Sequence, residues 1–203
     1  MPDSEDDDIR SYVAACPVTP RLAEQIAGLA ELPWDDHEVT GQAMRRLGWD
    51  NDPETVLDEV RFVTDRGHLV YGDFCFAMPF SYSYTVGGEL MEEDFWGSLP
   101  GWSSRRDAGT EEFDAHLTAA VDRFAEHLGP PHHDVRKEGR TVSTGRYSWR
   151  YAAWRRGGNL LVVGQDLDPF SYSQFEESLV YIGALAEDAP FPEAAEFPKF
   201  LTW

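Results

Sequence analysis

A short stretch of this chain occurs twice, and the duplication limits the possible folds more than any other feature. Arg66-Gly67-His68-Leu69-Val70-Tyr71-Gly72 runs on to Pro79-Phe80-Ser81-Tyr82-Ser83. Arg156-Gly157 leads in the same way through Leu161-Val162-Val163-Gly164 to Pro169-Phe170-Ser171-Tyr172-Ser173. A helical pattern ending in Leu-Gly precedes each copy, at Leu47-Gly48 and Leu128-Gly129. The repeated unit reads as helix, strand, Gly turn, strand and Pro-Phe-Ser-Tyr-Ser, and its period is too long for a stacked solenoid. One such half alone would leave strand edges bare. The expectation is an α+β fold: tandem helix-strand-strand half-domains, about residues 36–84 and 111–174, with a mainly antiparallel sheet and helices packed on one side.

Local signals supply the elements. Thr19-Pro20 opens a helix with an apolar stripe at Leu22, Ile26, Leu29 and Leu32, and Pro33 ends it. Asp35 or Asp36 caps a second helix, which carries Val39, Ala43 and Leu47 on one side. Val60–Thr64 and His68–Phe76 read as a hairpin around Asp65-Arg66-Gly67. Phe113, Leu117, Val121, Phe124 and Leu128 make the strongest helical pattern, closed by Gly129-Pro130-Pro131. Tyr147–Trp154 alternates as a strand, and Gly157-Gly158-Asn159 turns into a second strand at Leu160–Gln165. Ser173 with Glu176 suggests a capping box for a last helix through Phe175, Leu179, Ile182 and Ala186. Residues 12–188 are thus expected to form one domain. It lies between a disordered acidic tail, 1–11, and an extended aromatic C-terminal tail, 189–203, whose Phe191, Phe197, Phe200 and Trp203 are expected to lie against the body.

Charge narrows the function. The 203 residues hold 37 Asp and Glu against 17 Lys and Arg, a net charge of −20. Arg136, Lys137, Arg140, Arg146, Arg150, Arg155 and Arg156 form a local basic strip opposed only by Glu138. A molecule so acidic repels a polyanion, so nucleic acid is not expected as a partner despite the aromatics of that strip. The N-terminus lacks the basic start and apolar core of a signal peptide, no apolar run is long enough for a membrane helix, and there are two cysteines. A cytoplasmic protein without membrane contact is therefore expected.

Catalytic motifs are absent: there is no Gly-x-Ser-x-Gly, no phosphate-binding loop, no Gly-x-Gly-x-x-Gly after a strand and no Cys-x-x-Cys. Cys16 and Cys75 read as packing thiols, and His68 as a surface residue. His127, His132, His133 and Asp134 have the chemistry of metal ligands. Adjacent histidines on an extended segment point opposite ways, however, and no second cluster completes the set, so neither a metal nor any other cofactor is expected. Asp166 and Asp168 at a strand end suit acid/base or cation chemistry, with turn formation as the simpler role. A groove between the halves would be lined by Tyr82, Tyr172, Trp149 and Arg150, with Arg150 holding an anion against apolar rings.

The helix ending His127-Leu128-Gly129-Pro130-Pro131, followed by a Trp-bearing strand and a hairpin, resembles small acidic actinobacterial α+β proteins of the immunity-protein or chaperone-like type. The likeness covers about residues 110–165, with an echo at 36–83. It implies stoichiometric protein binding and not turnover. The leading expectation is thus a non-enzymatic acidic binding protein for a basic protein partner, with contacts at Glu89, Glu92, Glu93, Asp94, Phe95, Trp96 and Trp102. A small-ligand protein or an enzyme with a pocket between the halves is the alternative, and a purely structural module is a third.

Overall fold

The computed structural model describes residues 9–49, 60–72, 74–87, 94–137, 141–144, 147–168 and 175–197. Within them, helices and an open antiparallel sheet form an α+β fold. The elements are β1 (Arg10–Ala15), α1 (Pro20–Leu29), α2 (His37–Arg46), β2 (Val60–Val63), β3 (Leu69–Tyr71), β4 (Cys75–Val86), α3 (Phe95–Ser98), β5 (Ser103–Arg106), α4 (Thr110–Leu128), β6 (His133–Asp134), β7 (Val142–Thr144), β8 (Tyr147–Trp149), β9 (Tyr151–Arg156), β10 (Asn159–Leu167) and β11 (Glu176–Ala184).

Among the described residues the main sheet has nine strands. Seven follow the order β2-β3-β4-β11-β10-β9-β6, while β1 pairs with both β4 and β5. The long strand β4 organises the sheet. One of its edges pairs with β11 over Cys75–Ser83, and β1 pairs with it over Ser81–Val86. Pro79 lies inside this strand without an amide hydrogen to give, and the β4/β11 register shifts there, between Ser178 and Leu179. The shift changes which face β4 presents. Phe76, Met78 and Phe80 join the core under the long helices, whereas Tyr82 and Tyr84 join the core of the opposite face.

Local chemistry explains the helices. The Thr19 hydroxyl accepts the Leu22 amide hydrogen at 3.2 Å, and Asp36 accepts those of Glu38 and Val39 at 3.1 and 3.2 Å. Leu22, Ile26 and Leu29 of α1 then meet Leu117, Val121 and Phe124 of α4 over the sheet residues Leu161, Val163, Val180 and Ile182. Trp34 and Trp49 pack on Phe76 in the same core. Buried Asn159 donates to the carbonyls of Ala30 and Leu32 at 2.8 and 2.7 Å, which ties the end of α1 to the start of β10. The second face of the sheet is covered by Trp96 and Trp102 near α3 and β5, and by Phe197, whose ring stacks on Tyr151 at 4.4 Å. The long helices α1, α2 and α4 thus lie on one side, and the short α3 lies over the other.

Several sequence expectations are corrected. The segment read as a last helix is strand β11, held between β4 and β10. Leu179, Val180 and Ile182 are buried on alternate faces, and an apolar run in a central strand also satisfies helical spacing. The strand expected over His68–Phe76 breaks at Gly72, whose φ is 92°, and the strand expected over Tyr147–Trp154 divides at Arg150. β1 begins at Arg10, inside the stretch assigned to the acidic tail. His68 is fully buried, not on the surface. On α2, Thr40, Gly41 and Met44 are the buried residues, while Val39 is exposed.

Candidate functional site

At one end of the sheet, β10, β11 and β4 bring polar side chains to both faces. Asp166 stands opposite Glu177, and Glu177 stands opposite Tyr82 on the next strand. Neighbours in such a row lie on the same face. Asp168 is close by, and its amide donates to the Phe175 carbonyl at 2.9 Å. Glu177 is 1% exposed, and Asp166, Asp168 and Tyr82 are buried with it. One Asp166 oxygen accepts the Leu167 amide hydrogen at 2.7 Å and the other has no hydrogen-bond partner, while the Tyr82 hydroxyl stands against the Glu177 carboxyl.

The electrostatics follow from this placement. Burial, then the charges of Asp168 and Asp166, push the Glu177 carboxyl well above the usual range, and the nearby Tyr82 hydroxyl offers it only partial relief. Burial lifts Asp166 to about 6, against the pull of the Leu167 amide. Sequence reasoning singled out Asp166 and Asp168 but assigned Glu177 no role. Its signal was an acid separated only by Ser178 from the apolar run Leu179-Val180-Tyr181-Ile182.

On the helix-bearing face of the same strand ends lies a cleft of about 190 Å³, lined by residues that include Phe113, Asp114, Trp149, Arg150, Gln165 and Glu176. Arg150 pairs with Asp114 at 3.3 Å, and Gln165 donates to Asp114 at 2.7 Å. Trp149 and Arg150 both line this cleft, whereas Tyr82 belongs to the core on the other side of the sheet. Tyr172 lies outside the described residues. With Asp114 already on Arg150 and Glu176 across the cleft, the lining favours a cation over the anion expected for Arg150.

Of the residues expected at a partner contact, Glu89, Glu92 and Glu93 lie outside the described residues. Asp94 caps α3: its carboxylate accepts the Gly97 amide hydrogen at 3.0 Å and the hydroxyl hydrogens of Tyr84 and Ser104. Trp96 stacks on Tyr82 at 4.0 Å, and Trp102 donates from Nε1 to the Gly67 carbonyl at 3.0 Å. Both indoles are buried, whereas Phe95, set edge-on to Trp96, is 37% exposed.

The histidine set does not converge. His127 Nε2 lies 3.1 Å from the Pro20 carbonyl oxygen, His132 stacks on Phe191, and His133 packs on Phe191 and Phe197. Asp134 faces Arg136 and Lys137 at 3.5 and 3.4 Å. Among the described residues no group of three or more His, Cys, Asp or Glu is placed to hold a metal ion.

A buried Cys–His pair went unnoticed in the sequence. Cys16 Sγ lies 3.6 Å from His68 Nδ1, and His68 Nε2 lies 2.7 Å from the Cys16 carbonyl oxygen. That carbonyl can only accept, so Nε2 carries the proton and Nδ1 accepts, with the Thr64 hydroxyl 3.1 Å away. Burial pushes the thiol up to about 11 and the imidazole down to about 4. Both groups are neutral at pH 7, which is the opposite of an activated thiolate–imidazolium pair. Two interlocked turns seal them. Gly67 and Gly101 have φ of 90° and 82°, and a Cβ on either would overlap the carbonyl oxygen of Pro100 or Arg66 respectively.

No helix among the described residues is long and apolar enough to cross a membrane. No family model, curated protein or solved structure matches the chain.

Proposed function

We propose that this chain is a non-enzymatic, cytoplasmic binding protein that neutralises a basic protein partner, in the manner of an immunity protein. The observation that carries the reading is the platform at residues 94–102. Asp94, Trp96 and Trp102 are held by internal bonds and stacking, and they set the Phe95 ring outward directly after the acidic run Glu92-Glu93. An aromatic anchor beside acids suits a basic, partly apolar partner surface, and a charge of −20 speeds the encounter at low salt. The same charge argues against nucleic acid as the partner. Glu89, Glu92, Glu93 and Phe95 make the contact in this reading, while Asp94, Trp96 and Trp102 support it from beneath. The neutral Cys16–His68 pair favours binding over nucleophilic catalysis.

The architecture is proposed to be a duplication. The strand order β2-β3-β4 followed by β11-β10-β9 reads alike from either end towards the central β4/β11 pair, and α2 and α4 precede the two hairpins. Pro79–Ser83 lies within β4, while its counterpart at 169–173 falls outside the described residues.

The test is capture from native extract at low and high salt, identification of what is retained, and reconstitution from two purified proteins. The expected result is a stoichiometric complex with a basic protein that weakens as salt rises. A preparation that forms no such complex with any basic protein it retains contradicts the reading. The cleft at Trp149 and Arg150 favours a second reading, a pocket for a small cationic ligand. Ligand-induced stabilisation that is lost on Glu176→Gln would support that one instead.

A further inference from the structure

Asp166 and Glu177 are side by side in the sheet, both are more than nine-tenths buried, one Asp166 oxygen lacks a hydrogen-bond partner, and Glu177 meets the neutral Tyr82 phenol. The groups that act on Glu177 from neighbouring strands and the adjoining loop are Asp166, Asp168 and the Tyr82 phenol, and the Tyr71 phenol acts on Tyr82 in turn. None of these is positive. Among the described residues no Lys or Arg pairs with Asp166 or Glu177, although arginines bind carboxylates elsewhere on this surface. Neighbouring carboxyls in such a place cannot all be ionised, because each buried negative charge raises the cost of the next. A proton or a cation must neutralise them. Among the described residues no group is placed to hold a metal ion, and a shared proton meets the need without one.

We propose that Asp166 and Glu177 share at least one proton at neutral pH, and that this proton holds the polar end of the β4–β11–β10 sheet closed. Losing it leaves adjacent buried negative charges that separate only if the strand ends loosen. Gln165 and Glu176 on the same strand ends line the cleft of the opposite face, so the proton on one side of the sheet is linked to the cleft on the other. The inference does not depend on what the protein binds. Its direction agrees with the upward displacement of both carboxyls by burial.

A carboxyl raised in the folded state contributes stability that is present below its unfolded value and is lost as pH rises through the folded one. Histidines titrate in the unfolded chain at about pH 6.5, but their contribution is common to wild type and to a carboxyl variant, so the difference between the two slopes isolates the carboxyls. The experiment is urea unfolding of the full chain at several values from about pH 6.5 to 8.5, in high salt to damp general self-repulsion and with a chelator present. Wild type is expected to lose up to about tenfold in its folding constant per pH unit over part of this range. Glu177→Gln is expected to flatten most of that loss. Should the variant not fold, difference infrared spectroscopy of wild type reads the same claim, with a protonated-carboxyl band expected at pH 7 that disappears on alkalinisation. Equal slopes for the two proteins, or no such band at pH 7, would overturn the proposal. So would calcium or magnesium abolishing the slope in place of protons, because a cation would then occupy the cluster.

Discussion

His68 and Glu177 are both essentially inaccessible to solvent, yet their surroundings answer burial differently. Around His68 every polar atom has a counterpart: the Cys16 carbonyl on one nitrogen, and the Thr64 hydroxyl with the Cys16 thiol on the other. Around Glu177 the neighbours are acids and a phenol, and one oxygen of the adjacent Asp166 lacks a hydrogen-bond partner. The first site is complete as built and serves the fold. The second is short of positive charge. Burial alone therefore does not distinguish the two sites; the charge and polarity of what surrounds each group does.

The largest expected effect breaks the completed site from outside. Gly101→Ala places a Cβ against the Arg66 carbonyl at a φ of 82° and is expected to cost about 3 kcal/mol or more in urea unfolding. Wild-type stability would mean that the two turns do not interlock. His68→Ala strands the Thr64 hydroxyl and the Cys16 carbonyl beside a cavity, with an expected loss of about 2–4 kcal/mol. An equally large loss from Glu177→Gln at pH 8 would erase the contrast, because that variant is expected to hold or gain stability there.

The two sites also pull the pH profile in opposite directions. His68 is lowered in the fold to about 4, so its contribution is lost as pH falls from the ordinary histidine value towards that point. Asp166 is raised to about 6, so its contribution is lost as pH rises towards that value. Between about pH 4 and 6 the trends offset each other, and Asp166→Asn is expected to steepen the acid loss, read from urea midpoints. An unchanged slope would contradict the assignment. The smallest effect concerns thiol chemistry. Native Cys16 is expected to resist thiol reagents near neutral pH while half-buried Cys75 reacts, and equal rates would show that the sealed pair opens readily.

How much was legible beforehand follows from how local each signal is. Thr19-Pro20, Asp36 and the stripe from Phe113 to Leu128 act within one or two turns, and those helices form where the sequence places them. β11 was misread because a strand with cores on both faces has no alternation to betray it, and Ser173 with Glu176 imitated a cap. His68 looked exposed beside a turn, but that turn, at Arg66-Gly67, packs against Pro100-Gly101, which is more than thirty residues away in the chain. For the candidate site, Asp166 and Asp168 were visible as a strand-end pair. Their meaning changed only when the β10/β11 register brought Glu177 alongside, and the shift of β4 on β11 near Pro79 set Tyr82 opposite it; neither pairing is a local pattern. Trp96 and Trp102 read as contact aromatics because sequence alone cannot separate a ring that faces a partner from one that anchors a loop.

The most direct test of the binding account is the salt dependence of affinity for the reconstituted basic partner, measured with wild type and with Glu89→Gln/Glu92→Gln/Glu93→Gln. Binding by wild type is expected to weaken steeply with salt. The triple variant is expected to bind roughly tenfold or more weakly at low salt, with a shallower slope. Identical affinity and slope for the two proteins would contradict the account, because the acids ahead of the Phe95 platform would then take no part in the contact.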